Sequence, residues 1–223
     1  MEQLEYFRSL KADVAIIPEL KQKNIAAINP ESAVWVTNNH SAASPKGLGV
    51  LAFNGFKLEE LPSDQEMEIF IPVRVSKDKF GFNLLAVWNF YSAAKQGRFK
   101  GAKGERTVEY AALAHYKELF SDPCVVAGDW NLGPTFSPVS YTRVSKMLLG
   151  SGLSCLYKSH HSLPDTDIGL PTFRHSRGEA THNLDHIFGS EYFVKRTSAF
   201  DVRPLAEAVL SDHAPVILDV AIE

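Results

Sequence analysis

The sequence is poor in the features that define several large protein classes. Its 223 residues include only two cysteines, Cys124 and Cys155, so it has neither a disulfide framework nor a cysteine-based zinc pattern. No apolar run approaches the length of a membrane-spanning helix, and the N-terminus lacks the basic segment and apolar core of a signal peptide. These absences predict a soluble, cytoplasmic protein with no membrane association. Cys124 heads an apolar strand and is predicted to be a small core residue.

The charge of the chain is close to neutral. A formal net charge of -3 excludes a polycation that coats nucleic acid, so affinity for phosphates must come from a local patch or a bound metal ion. Hydrophobic residues at 45% and charged residues at 22% are typical of globular proteins. Since no linker or repeat divides the chain, residues 1–223 are predicted to form a single domain, and no feature indicates an obligate protein partner.

Many short apolar runs and a few helical patterns predict a sandwich of strands and helices. Helices are predicted at the N-terminus, from about Glu105 to Phe120, and from 138 to 149. The predicted strands are DVAIIPEL, AVWVT, GLGVLAF, EIFIPVRV, FNLLAVWNF, CVVAGDWN, PTFRH, NLDHIFGS, YFVKRTSAFDV and HAPVILDVAI. The first strand is predicted to stop at Pro18, and His115 is placed on the buried face of the second helix.

Polar residues recur where the predicted strands end or are interrupted. They are Glu19, the pair Asp129 and Asn131 in VVAGDWNLGPT, Asp185 in NLDHIF, and Asp212 with His213 in LSDHAPV. Each has an ordinary alternative interpretation, because aspartate, asparagine and glycine also form turns. Together they indicate a site, since a carboxylate beside an apolar strand is costly unless it is paired, hydrogen-bonded or bound to a metal.

Several of these segments form a recognisable series. ADVAIIPEL, KGLGVLAFN, VVAGDWN, PTFRH, NLDHIF and SDHAPVILDV occur in this order and span nearly the whole chain. The series resembles the endonuclease/exonuclease/phosphatase superfamily, the metal-dependent phosphoesterases related to exonuclease III and pancreatic deoxyribonuclease. A string such as GDWN or SDH is a weak signal alone, but the ordered set is a strong one.

The resemblance implies a fold and a cofactor. The fold is a four-layered α/β sandwich, in which two packed, mostly antiparallel sheets are flanked by helices and the site lies at one end. The activity is hydrolysis of phosphodiester bonds with Mg²⁺, and Mn²⁺ is the alternative ion. Glu19 and Asp212 are the implied metal ligands, because hard carboxylate oxygens suit Mg²⁺.

The resemblance also implies catalytic roles. Asp129 would deprotonate the attacking water, and Asn131, which points the same way if the segment stays extended, would donate to a phosphoryl oxygen. His213 would donate to another phosphoryl oxygen while Asp185 accepts from its second ring nitrogen and fixes its orientation. His182 and His186 flank Asp185, but no further ligands follow at zinc spacing.

Nucleic acid is the predicted substrate, and two segments are candidates for binding it. The basic loop KQGRFKGAKGER contributes Arg98 and Lys100, which could hold the phosphates that flank a scissile bond. The strand before the loop offers Trp88, Asn89 and Tyr91 where nucleases of the family carry a histidine or tyrosine. The alternatives stay open: the loop is an ordinary solvated surface, and Trp88 is a core residue.

Two other functions fit the same sequence. The first is a phosphatase or phosphodiesterase for a smaller substrate, such as a phospholipid headgroup or a nucleotide, and the mildly acidic charge favours it. The second is a catalytically retired binding scaffold. Whether the substrate is DNA or RNA, and whether cleavage is endo- or exonucleolytic, stays open at this point.

One departure from the family lies at the start of the sequence. The family opens with a strand that ends in Trp-Asn or a similar pair, and no such strand precedes the first predicted helix. Either the protein has shed this strand, or a longer reading frame supplies it. We expect the second, with an asparagine-bearing strand of about ten residues encoded upstream, because a central strand is costly to lose.

Overall fold

The computed structural model describes residues 3–37, 45–67, 70–89, 99–121, 123–175, 181–207 and 211–222. The helices are α1 (Gln3–Ser9), α2 (Gln22–Ile28), α3 (Val108–His115), α4 (Pro138–Gly150), α5 (Leu156–His160) and α6 (Glu191–Arg196). The strands are β1 (Val14–Lys21), β2 (Ser32–Thr37), β3 (Lys46–Ala52), β4 (Lys57–Glu60), β5 (Phe70–Lys77), β6 (Phe80–Trp88), β7 (Cys124–Asp129), β8 (Ser154–Cys155), β9 (Phe173–Arg174), β10 (Thr181–His182), β11 (Asp185–Gly189), β12 (Thr197–Val202) and β13 (Val216–Val220).

A six-stranded sheet runs through the middle of the structure in the order β4-β5-β6-β7-β11-β8. Its strands pair antiparallel except for β6 and β7, which run parallel. The other described strands form a three-stranded sheet, β1-β3-β2, and two antiparallel pairs, β9 with β10 and β12 with β13. Strands β7 and β11 are therefore neighbours inside the large sheet although they are distant in sequence.

The two faces of the large sheet bury two separate hydrophobic cores. Ile71, Val73 and Val75 of β5 face a core that also contains buried residues of β2, β3 and β12. Phe70 lies on the opposite face, in a core shared with α3 and α4. This period-two alternation is what a strand covered on both sides requires. The predicted α/β sandwich is confirmed, and the fully buried Cys124 is a core residue as expected.

Strand β1 differs from its prediction in a way that matters for the site. It does not stop at Pro18 but continues to Lys21, and its register with β3 shifts between Ile17 and Leu20. Proline has no N–H to give to the ladder, so a bulge accommodates it without losing a hydrogen bond. Glu19 sits in this bulge with a left-handed backbone, at φ 57°.

The second predicted helix is shorter than expected, and His115 does not lie on its buried face. The α-helix ends at His115 and is followed by a separate 3-10 helix, Lys117–Phe120. His115 is exposed, contrary to prediction, whereas Tyr116 and Phe120 are buried. Tyr116 and Phe120 place large aromatic rings in the core that α3 faces, whereas the smaller, polar His115 is left in solvent.

Part of one predicted strand is helical. The first five residues of YFVKRTSAFDV, together with Glu191, form α6, and β12 begins only at Thr197. The helix has Glu191 in its first turn and Lys195 with Arg196 in its last, which suits the helix dipole. An ion pair of 2.6 Å between Lys195 and Glu191 supports it further.

Candidate active site

Two aspartates meet where β7 ends and β11 begins. In the antiparallel register of these strands Asp129 lies opposite Asp185. An isolated bridge between Phe173 and His213 brings the histidine to the same edge. One side-chain ligand atom each from Asp129, Asp185 and His213 lie within 4.8 Å of one another. These three residues are called the acid-histidine cluster below.

The backbone around Asp129 is held tightly from both sides. Gly128 has φ 141°, and a Cβ built on it would lie 1.9 Å from the carbonyl oxygen of Val87, so only glycine allows β6 this close. The Asn89 amide donates to the Asp129 carbonyl at 2.8 Å, and the Trp130 amide donates to the Leu184 carbonyl at 2.9 Å. These contacts fix the backbone from which the Asp129 side chain projects.

Asn131 turns back onto Asp129. Its backbone N–H donates to Asp129 Oδ1 at 2.9 Å, and its Nδ2 donates to Oδ2 at 3.0 Å. The expectation of an extended segment was wrong, because Asn131 has a left-handed backbone at φ 47°. Asparagine tolerates this conformation better than most residues. The turn and the candidate site are therefore the same arrangement, in which the carboxamide lies against the carboxylate.

Asp185 and His213 form the contact that the sequence-based hypothesis required. His213 Nδ1 donates to Asp185 Oδ2 at 2.8 Å, which leaves Nε2 for another partner. The Phe173 ring packs against His213 with 4.9 Å between ring centroids. The contact that would let Asp185 orient the His213 ring is therefore present.

Thr172 supports the acid-histidine cluster although it is not among the predicted site residues. It is 1% exposed, and its hydroxyl accepts from the amides of Leu184 at 3.0 Å and Asp185 at 3.1 Å. Its carbonyl accepts from the Ala214 amide at 2.7 Å. Thr172 therefore ties the start of β11 to the segment that carries His213. In the sequence Thr172 is the threonine of PTFRH, one of the segments of the ordered series.

Burial and charge both act on Asp129. It is 5% exposed, and desolvation together with the negative charge of Asp185 raises its pKa to about 7. The charge of His213 and the hydrogen bond from Asn131 act in the opposite direction, and the charge of Glu19 raises the pKa further. A carboxyl with this pKa is suited to accept a proton near neutral pH.

The neighbours of His213 favour its charged form. Burial lowers its pKa, but the hydrogen bond and charge of Asp185 outweigh this and raise the pKa to about 9. The negative charges of Asp129 and Asp212 add to the increase. The imidazole is therefore a charged donor at neutral pH, directed toward a group of carboxylates.

Glu19 and Asp212, the predicted metal ligands, lie outside the acid-histidine cluster. Glu19 accepts a hydrogen bond from Lys46, and Asp212 is exposed. Both act on the cluster electrostatically, Glu19 through Asp129 and Asp212 through His213. Asp129, Asp185 and His213 offer ligand atoms close enough together to hold a metal ion, and carboxylate oxygens suit Mg²⁺.

The structure describes three of the five residues proposed to bind substrate. Trp88 is 2% exposed and belongs to the core that faces β2 and β3, which favours the structural interpretation of this residue. Asn89 is 8% exposed and lies beside Asp129 through its amide. Lys100 is exposed. Tyr91 and Arg98 lie outside the described residues.

His186 is a buried neutral histidine rather than a ligand. It is 5% exposed, and its Nε2 donates to the Leu132 carbonyl at 2.9 Å. Burial lowers its pKa to about 4, although the hydrogen bond to Leu132 opposes this. The bond ties β11 to the segment that follows Asn131, so His186 supports the site from inside the sheet.

The buried His186 predicts a specific loss of stability in acid. The unfolded chain binds a proton at this residue below its ordinary pKa of about 6.5, whereas the folded protein does not until about pH 4. The stabilisation is complete above pH 6.5 and is lost as the pH falls, by about 2 kcal/mol at pH 5. His186→Gln, which keeps a donor for Leu132, is expected to lose correspondingly less stability between pH 7 and pH 5.

Denaturant unfolding of both proteins at these two pH values measures the difference. His115→Gln removes an exposed histidine and serves as the control. An equal loss of stability in the wild-type protein and the His186→Gln variant would contradict the assignment of His186 as a neutral buried group.

The sequence profile of the Endonuclease/Exonuclease/phosphatase family matches residues 4–213, which include every residue of the acid-histidine cluster. The chain belongs to this family. It is accordingly a phosphoric ester hydrolase, as the resemblance implied. No curated protein matches the chain significantly.

Solved structures share the fold at low sequence identity. The 3′ phosphatase NExo from Neisseria, bound to product DNA hairpin, is 16% identical with a TM-score of 0.69, over 99% of this chain and 95% of that one. An AP endonuclease from Archaeoglobus fulgidus is 14% identical with a TM-score of 0.70, over 99% and 93%. The APE2 catalytic domain from Xenopus laevis is 13% identical with a TM-score of 0.69, over 99% and 87%. Among the described residues, no helix is long and apolar enough to cross a membrane.

Proposed function

We propose that the protein is an Mg²⁺-dependent phosphodiesterase that hydrolyses nucleic-acid phosphodiester bonds. One observation carries the proposal: a buried carboxyl with its pKa raised to about 7, Asp129, lies within 4.8 Å of a charged histidine and a second aspartate. This arrangement places a proton acceptor beside a cationic donor at a strand end, in a chain of a phosphoesterase family. A general base and a donor for the phosphoryl oxygens both assist hydrolysis of a phosphodiester.

Each residue of the site has a chemical task in this proposal. Asp129 accepts the proton of the water whose oxygen attacks phosphorus, while the bond to the leaving oxygen breaks and that oxygen takes a proton from solvent. Asn131 Nδ2 carries two hydrogens, one given to Asp129, so the second remains for a phosphoryl oxygen. His213 donates a hydrogen bond from its Nε2–H to another phosphoryl oxygen. Asp185 holds the imidazole through Nδ1.

Glu19 and Asp212 would hold the metal ion. Their carboxylates are exposed enough to be reached from solvent, and both lie within electrostatic reach of the cluster. A bound Mg²⁺ supplies positive charge that neutralises the phosphate and the charge developing on it. Mn²⁺ prefers similar oxygen ligands and is the expected substitute.

Nucleic acid is the proposed substrate for two reasons. Structural relatives include a phosphatase bound to product DNA hairpin and AP endonucleases. Within the described residues, Lys100, Lys103 and Arg106 are exposed in the segment between the end of β6 and α3. Cations on such a segment suit contacts to successive phosphates that are independent of base sequence.

The salt dependence of kcat/KM tests this choice of substrate. An oligonucleotide that contacts several phosphates is expected to lose about tenfold or more in kcat/KM between about 50 and 200 mM salt. Bis(p-nitrophenyl) phosphate, a small diester, is expected to change much less. The Asp212→Ala variant, purified in parallel, should lose both activities and so excludes a contaminating nuclease.

Equal salt dependence for the two substrates would favour the second candidate, a phosphoesterase for a small molecule. That outcome would leave the catalytic roles of Asp129 and His213 intact and would overturn the nucleic-acid assignment.

A further inference from the structure

A lysine donates a hydrogen bond to Glu19, a carboxylate that is proposed to hold the metal. Lys46 Nζ, at the start of β3, donates to Glu19 Oε2 in the bulge of β1. The side chains are 47% and 52% exposed, respectively. An exposed pair of this kind contributes little to stability, so strengthening the fold does not account for its position.

The bulge determines this contact. The register pairs Ile17 with Gly49 and Leu20 with Gly47, so two residues of β1, Pro18 and Glu19, stand against one residue of β3. With φ 57° the backbone of Glu19 leaves the extended conformation of the strand, and its side chain reaches Lys46. The lysine is thus held by the same local geometry that presents the glutamate.

The pair also lies near the acid-histidine cluster, because β1, which carries Glu19, contacts β7, which ends at Asp129. The charge of Glu19 raises the pKa of Asp129, which requires the two carboxylates to interact. Neutralising Glu19 is therefore useful to the protein whenever no metal is bound, because it limits the excess of negative charge around a buried acid.

We propose that Lys46 is a tethered counter-cation that competes with the divalent metal ion for Glu19. This inference rests on the proposed function, since it takes Glu19 as a metal ligand. The ammonium group neutralises Glu19 in the metal-free enzyme and must release the carboxylate before the ion binds there. Lys46 consequently raises the metal concentration at which the site fills.

The affinity of the protein for Mn²⁺ alone, measured by titration calorimetry without substrate, tests the proposal. Lys46→Gln is expected to bind Mn²⁺ about three- to fivefold more tightly than the wild-type protein, the effect of removing one exposed ion pair. Lys21→Gln is the matched control, because Lys21 lies opposite Lys46 in the register of β1 and β3. It removes the same charge from the same region and should change the affinity less than about twofold.

Two further variants separate the possible failures. Glu19→Gln should weaken Mn²⁺ binding, and adding Lys46→Gln to it should produce no further tightening. If Glu19→Gln weakens binding but Lys46→Gln binds no more tightly than the wild-type protein, the counter-cation role is overturned and the metal assignment stands. If Glu19→Gln binds as tightly as the wild-type protein, Glu19 is not a ligand, and both are overturned. An equal gain in Lys21→Gln would overturn the specific role of Lys46.

Discussion

Asp129→Asn is expected to lower kcat by about 10²–10⁴-fold, the usual contribution of a general base, while raising the stability of the metal-free protein. The carboxyl is buried, and desolvation with the charge of Asp185 raises its pKa to about 7, so the ionised form is unfavourable in the fold. Asparagine keeps an oxygen for the N–H of Asn131 and carries no charge, and although its amide nitrogen loses the hydrogen bond from Asn131 Nδ2, removing the buried charge is expected to outweigh this loss. A residue that costs stability and supports catalysis is characteristic of a functional site.

The control for this variant is Asp167→Asn. Asp167 makes the same kind of turn as Asp129, because its Oδ1 accepts from the Gly169 amide at 2.7 Å. Asp167→Asn should keep wild-type activity and should not gain stability. Initial rates on a labelled oligonucleotide and thermal unfolding in EDTA measure both effects. Activity of Asp129→Asn close to that of the wild-type protein would contradict the role of Asp129 as the base.

Asp185→Asn is expected to lower activity at neutral pH by about 10²-fold or more, because it disturbs the orientation and the protonation of His213 together. Asp185 is the main partner that raises the pKa of His213 to about 9 against the effect of burial. The wild-type histidine stays charged until the pH approaches 9. In the variant it loses its proton at lower pH, so the alkaline limb of the kcat/KM profile is expected to shift to lower pH.

A pH profile distinguishes this role from a merely structural one, since loss of structure would reduce activity without moving the limb. Asp201→Asn removes an exposed aspartate paired with Arg203 and serves as the control for charge. An unshifted alkaline limb in Asp185→Asn would show that Asp185 does not set the protonation of His213.

The sequence was sufficient to identify the members of the cluster, but not their arrangement. Asp129, Asp185 and His213 each stand beside an apolar run, where a polar residue needs a reason, and their ordered motifs supplied one. Their meeting depends on the register of β7 with β11, which pairs Asp129 with Asp185. Register follows from which strands become neighbours in the sheet, and a pattern within one strand does not contain that information.

Local backbone conformation explains the other differences. The extended prediction for Asn131 failed because a side chain that bonds to Asp129 favours a turn over continuation of the strand. The contact between Glu19 and Lys46 depends on a bulge at Pro18, where a proline was predicted only to end the strand. His115 was assigned to a buried face that the larger rings of Tyr116 and Phe120 occupy instead.

The decisive measurement is cleavage of labelled single-stranded, double-stranded and abasic oligonucleotides by the wild-type protein, with Mg²⁺ and with EDTA. We expect products with Mg²⁺, none with EDTA, and recovery when Mg²⁺ or Mn²⁺ is restored; the product lengths then distinguish endonucleolytic from exonucleolytic cleavage. Cleavage that continues unchanged in EDTA would contradict a metal-dependent mechanism. Failure to cleave any oligonucleotide with Mg²⁺ present would contradict the assignment of nucleic acid as the substrate.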